Sequence, residues 1–90
     1  MGIAAIIVKI MPESPSSNLE KIKKEAKLFL EKEGAKNISF EEKPVAFGLK
    51  SIFTKFAWPE EKETQIIENG LSGIQEVSSV TIEDYRRAFG

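Results

Sequence analysis

Apolar and polar positions along the chain change period four times, and with the turn inside the middle β segment they predict six elements. Residues 3–11, IAAIIVKIM, form a nearly unbroken apolar run rich in β-branched side chains between Gly2 and Pro12. So short a run, bounded in this way, predicts a buried central strand. The segment MPESPSS follows, with two prolines, and reads as a turn. Ser17 with Glu20 fits a capping box, and Asn18 is a second candidate cap. Leu19, Ile22, Ala26, Phe29 and Leu30 then recur at helical spacing, with Lys21, Lys23, Lys24, Glu25 and Lys27 mainly off that stripe. Gly34 is in the right place to end the helix.

Ile38 and Phe40 alternate with polar neighbours, which predicts a second strand running toward Pro44. PVAFG reads as a turn or hairpin tip. From Leu49 to Trp58 the chain reads as a third strand, with Ile52, Thr54, Phe56 and Trp58 on one face and Leu49, Phe53 and Ala57 on the other or near its edges. Pro59 with Glu60, Glu61 and Glu63 predicts an acidic helix start, and Ile66, Ile67, Leu71 and Ile74 give that helix its buried side. Asn69 and Gly70 weaken its end. Val77, Val80 and Ile82 mark a last strand, and EDYRRAFG is left as a tail. The order βαββαβ suits a ferredoxin-like α+β sandwich, a four-stranded antiparallel sheet with both helices on one face. The first strand is expected in the middle because it is almost wholly apolar.

Composition narrows the chemistry. The 90 residues predict one domain, residues 1–90, and a hydrophobic content of 41% with 30% charged residues is an ordinary globular balance. The net charge is −1, unlike a domain that neutralises many phosphates, so no direct nucleic-acid binding is expected. Cysteine and histidine are both absent. Thiolate chemistry, the commonest metal ligands and the neutral-pH general base are thereby excluded, and no cofactor or metal site is expected. The longest apolar run, Ile3 to Val8, is far below the ~20 residues of a membrane span, and no signal peptide is evident, so the chain is expected in the cytoplasm with no membrane partner.

A ferredoxin-like order does not itself fix an activity. Acylphosphatases need an arginine in the loop after the first strand, and PESPSS has none. The aromatic-rich run of RNA-recognition modules is missing, and Phe53 and Phe56 fit core packing better than base stacking. Glu41, Glu42, Glu60, Glu61, Glu83 and Asp84 read as solvated surface. Glu41 and Glu42, adjacent on a strand, point to opposite faces and do not make a dyad. Two features stand out instead. Phe47, beside Gly48 in Pro44–Gly48, is hard to bury within its own hairpin. Arg86 and Arg87, after the last predicted strand, suit a carboxylate or phosphate partner.

The pieces MPESP, EEKPVAFGLK and LSGIQEVSSVTI and the closing arginine pair, taken in this order and at this length, resemble the archaeal-type elongation factor 1-beta family over essentially the whole chain. That family exchanges nucleotide on the GTPase elongation factor 1-alpha. The resemblance implies a ferredoxin-like exchange module without the additional N-terminal regions of eukaryotic factors, acting by binding rather than as an enzyme. It further implies that Phe47, in the proline-containing turn, presses on the GTPase near its nucleotide. Arg87, with Arg86 beside it, would stand where eukaryotic relatives carry a lysine that reaches the GTPase's magnesium and phosphate site. Lys50 would add an electrostatic contact. The alternative expectation is a ferredoxin-like module that contacts RNA or a small regulatory ligand.

Overall fold

The computed structural model describes residues 2–89, with the side chains of Ala88 and Phe89 left aside. Its elements are β1 (Ile3–Pro12), α1 (Leu19–Lys32), β2 (Lys36–Pro44), β3 (Lys50–Pro59), α2 (Gln65–Ser72) and β4 (Val77–Phe89). The four strands form one antiparallel sheet in the order β2-β3-β1-β4, so β1 lies inside it as its sequence requires. The fold is ferredoxin-like α+β.

Alternation along the strands chooses the covered face. Ala4, Ile6, Val8 and Ile10 of β1 are fully buried, as are Ile52, Thr54 and Trp58 of β3, with Phe56 nearly so. Ile22, Ala26 and Leu30 of α1 and Ile67 and Leu71 of α2 join the same cluster, which puts both helices on this face. Phe56 and Trp58 meet edge to face, their centroids 6.0 Å apart. The other face is less covered than the apolar run of β1 implies. Ala5, Ile7, Lys9 and Met11 remain half-exposed. Phe53 also lies on this side, half-buried, with Lys43 Nζ 4.4 Å from its ring centre. Of the two phenylalanines expected in the core, therefore, only Phe56 is there.

Three local expectations are corrected. Asn18 is the cap of α1, its Oδ1 accepting from the Lys21 backbone N–H at 3.1 Å. Ser17 instead accepts from the Ser14 N–H and fastens the preceding turn. Pro59 does not open α2 but ends β3, and the Glu60 N–H carries on the ladder to Gly2 O at 3.1 Å. A proline at a strand terminus leaves no ladder bond unmade that the strand needs. The indole N–H of Trp58 then donates to Lys62 O and closes the turn, and α2 starts only after Thr64. Finally, β4 continues through the predicted tail to Phe89.

Gly70 lies within α2 rather than at its end. A Cβ at this position would fall 2.0 Å from Cζ and 2.3 Å from Cε1 of Phe29, so a missing side chain is what lets α1 and α2 approach. Alanine for glycine inside a helix ordinarily stabilises by about 1 kcal/mol. Here overpacking reverses the sign, and Gly70→Ala is expected to cost about 2 kcal/mol net in urea unfolding.

A charge cluster fastens α1 to β2. Lys23 Nζ donates to Glu42 Oε2 at 2.5 Å and to Glu20 Oε2 at 3.1 Å. The hydrogen bond from Lys23 holds the Glu42 carboxyl below its ordinary value of 4.5. A lowered folded-state pKa means stability that is present above the unfolded value and lost as pH falls through the folded one. Glu42→Gln is therefore expected to be less stable than the parent at neutral pH, with the difference closing as pH drops below about 4.5. Chemical denaturation across an acid series measures it.

Candidate functional site

The turn between β2 and β3 is closed by a bond from the Val45 N–H to Leu49 O at 2.8 Å. Reversing the chain in so few residues requires left-handed backbone, and it falls on Phe47 (φ 63°, ψ 29°) and Gly48 (φ 75°). Glycine accepts this conformation freely. Phenylalanine does not, since its Cβ approaches the following carbonyl, at a cost of roughly 1–2 kcal/mol. The ring recovers nothing by packing, for Phe47 is 93% exposed. A strained backbone holding an unburied aromatic group is a feature the fold does not need for itself. Lys50 begins β3 at the base of this turn, is exposed, and adds a minor attraction that further lowers the Glu42 pKa.

The two arginines occupy the far end of the sheet. Arg86 pairs with Ala5 and Arg87 with Ala4, so they project from opposite faces of β4 instead of from a loose tail. Arg86 Nε meets Asp84 Oδ2 at 3.0 Å, and its side chain remains exposed. Arg87 lies on the helix-bearing side, where Nε and Nη2 both donate to Glu60 Oε1, at 2.9 and 2.7 Å. These bonds raise the Arg87 pKa above its already high ordinary value, keeping it a cation at every working pH. Sequence reasoning counted Glu60 as solvated surface. Its side chain is only 15% exposed, because the strand it follows delivers it beside β1. The spacing Trp58-x-Glu60 was the available sign, since residues two apart on a strand share a face.

Phe47, Gly48 and Lys50 are therefore together, and Arg86 and Arg87 are not with them. Along β1, Ala4 lies opposite Arg87, and Pro12 lies at the other end of the strand, level with the start of β3 that follows the turn. Eight residues of strand separate them, roughly 25 Å. Among the described residues no group of three or more carboxylates, histidines or cysteines is placed to hold a metal ion. Nor, among the described residues, is any helix long and apolar enough to cross a membrane.

Fold and exposed groups define a class: ferredoxin-like α+β proteins whose distinctive side chains stand at the surface, at the two ends of the sheet. Within it, the chain belongs to the EF-1 guanine nucleotide exchange domain family, whose pattern matches residues 5–88. It is 38% identical to elongation factor 1-beta of Methanothermobacter thermautotrophicus, over 97% of this chain and 98% of that protein. It is 45% identical to elongation factor 1-beta of Methanocaldococcus jannaschii, over 84% and 88% respectively. The Ignicoccus hospitalis elongation factor 1-beta is 37% identical over 91% of this chain and 88% of its own length. Membership assigns the chain a nucleotide-exchange role in translation elongation, and implies an elongation factor as partner.

The strain at the turn is testable apart from function. Asparagine tolerates left-handed backbone, and an exposed ring has no packing to lose, so Phe47→Asn is expected to leave stability unchanged or raise it by up to roughly 1 kcal/mol. Gly48→Ala is expected to cost about 1 kcal/mol from backbone strain alone. The nearest atom to its new Cβ, Pro15 Cγ at 3.9 Å, offers no clash. Thermal unfolding of both variants reads out the two signs.

Proposed function

We propose that this protein accelerates release of GDP from elongation factor 1-alpha by binding the GTPase at two places, with Phe47 as an apolar wedge and Arg87 as a cation at the magnesium and phosphate site. The observation that carries the reading is Phe47, almost fully exposed and held in a backbone conformation that disfavours it. Family membership supplies the partner class.

A GTPase holds its nucleotide through phosphate-binding loops and magnesium, and those contacts order its switch segments. An exchange factor must bind the nucleotide-free state better than the loaded one. By linkage, that preference weakens nucleotide binding by the same factor. Arg87 supplies positive charge where the ion sits and lowers the cost of its departure. Phe47 shifts the adjoining GTPase segment, and Lys50 adds charge beside it. No bond is made or broken. The roughly 25 Å between the two ends of the sheet supports a clamp over a single pocket: one partner must bridge both ends, so each contact acts on a different part of it. A wedge of one ring suffices because interface energy concentrates in a few buried anchors.

Labelled GDP release from the elongation factor 1-alpha of the same source is the test, with this protein at low molar ratio. Catalytic amounts are expected to accelerate release. Phe47→Ala and Arg87→Ala are each expected to lose at least tenfold, or about 1.4 kcal/mol of differential binding. Arg87→Lys is expected to lose less than Arg87→Ala, since the charge remains. Wild-type rates from both alanine variants would overturn the mechanism.

A further inference from the structure

The contact between Glu60 and Arg87 is built from further back in the fold than a surface ion pair needs. The Glu60 N–H is tied to Gly2 O at the start of β1, and the turn that follows is pinned at Lys62. The Trp58 indole donates to Lys62 O at 3.1 Å, while Lys62 Nζ donates to Glu33 O at 2.6 Å and to Glu33 Oε1 at 2.8 Å. A fully buried tryptophan and the end of α1 thus hold the segment that carries Glu60. Glu60 reaches across β1 to the guanidinium on β4 and uses one oxygen, Oε1, for both Nε and Nη2. Oε2 is buried and accepts no hydrogen bond from the described residues. Arg87 itself stays 73% exposed, and its Nη1 donates to none of the described residues.

This asymmetry decides what the pair does. A mutual surface pair of two free side chains contributes little and constrains little. Here the acid is largely enclosed and the base is open. Departure of Arg87 would leave a mostly buried carboxylate without its partner, which is costly. The contact takes one edge of the guanidinium and leaves Nη1 without a partner among the described residues. We infer that Glu60 is the positioning residue for Arg87: it fixes the guanidinium by its Nε edge so that the Nη1 edge is presented, already ordered, to an anionic site on the partner. The inference rests on the proposed role of Arg87 in exchange. Without Glu60, ordering a long side chain with several rotatable bonds would fall on the binding step.

The test uses the full chain in the GDP-release assay, titrated to saturation, with Glu60→Ala, Glu60→Gln, Glu60→Asp, Arg87→Ala and the double variant Glu60→Ala with Arg87→Ala. Glu60→Ala is expected to raise the half-saturating concentration fivefold to tenfold. Glu60→Gln keeps an acceptor oxygen in place and should stay within twofold of the parent. Glu60→Asp keeps the charge but is one methylene short, and should resemble alanine. The double variant should match Arg87→Ala alone, because Glu60 acts only through Arg87. In the free protein, the Arg87 Nε–H resonance should be protected from solvent exchange, and the protection should vanish in Glu60→Ala but not in Glu60→Gln. Faster exchange from Glu60→Ala, or wild-type exchange while Arg87→Ala is slow, would overturn this inference alone. Losses that add in the double variant would do the same. Wild-type exchange from Arg87→Ala would overturn the parent reading of the site and this role with it.

Discussion

Everything distinctive in the molecule depends on the antiparallel pairing of β1 on both of its edges. Its even-numbered residues form the floor of the core, and its hydrogen bonds fix the register of β3 on one side and β4 on the other. A slip of one residue would turn Ala4, Ile6, Val8 and Ile10 out of the core, so the register is held by the full apolar area of that face. The same register sets Arg87 opposite Ala4 and delivers the end of β3, with Glu60, to the same place. The hairpin joining β2 to β3 is correspondingly sent to the far end.

Among the exceptions to ordinary residue preference that accompany that frame, Gly70 and Phe47 have different causes. Gly70 stands inside a helix because Phe29 occupies the space its side chain would fill. It answers to packing. Phe47 stands in left-handed backbone with its ring in water, and nothing in the chain accounts for it. Strain compensated by contacts is an internal matter of the fold, whereas strain with no internal compensation is the observation on which the proposed wedge role of Phe47 rests.

The geometry also changes how the exposed groups act together. Phe47 and Arg87 are not a cluster but stand at opposite ends of a sheet, one in a turn and one on an edge strand. Arg86 and Arg87, adjacent in sequence, serve opposite faces. Only one of them lies on the Glu60 side, where a rigid segment reaching back to Trp58 and Glu33 supports it. A charge carried by such a scaffold differs from one on a loose terminus in the freedom it has left to lose.

Much of this was legible in the residues themselves. The βαββαβ order, the central place of β1 and the shared face of Ile52, Thr54, Phe56 and Trp58 follow from side-chain periodicity, which is local and survives in any register. The turn chemistry around Phe47 and Gly48 was visible for the same reason. Local signals misled where a long-range partner won. Pro59 and three glutamates looked like a helix start, but Gly2 offered a strand partner and Lys62 an acceptor for Trp58. EDYRR looked like a tail because its polar residues show no alternation, yet β1 had an edge with unpaired backbone groups for it to join. Periodicity determined which elements form and which sides are buried. Only the tertiary structure decided that Glu60 and Arg87, distant in sequence, share one end of the sheet, because that meeting depends on strand register, and register is fixed by the packed core as a whole.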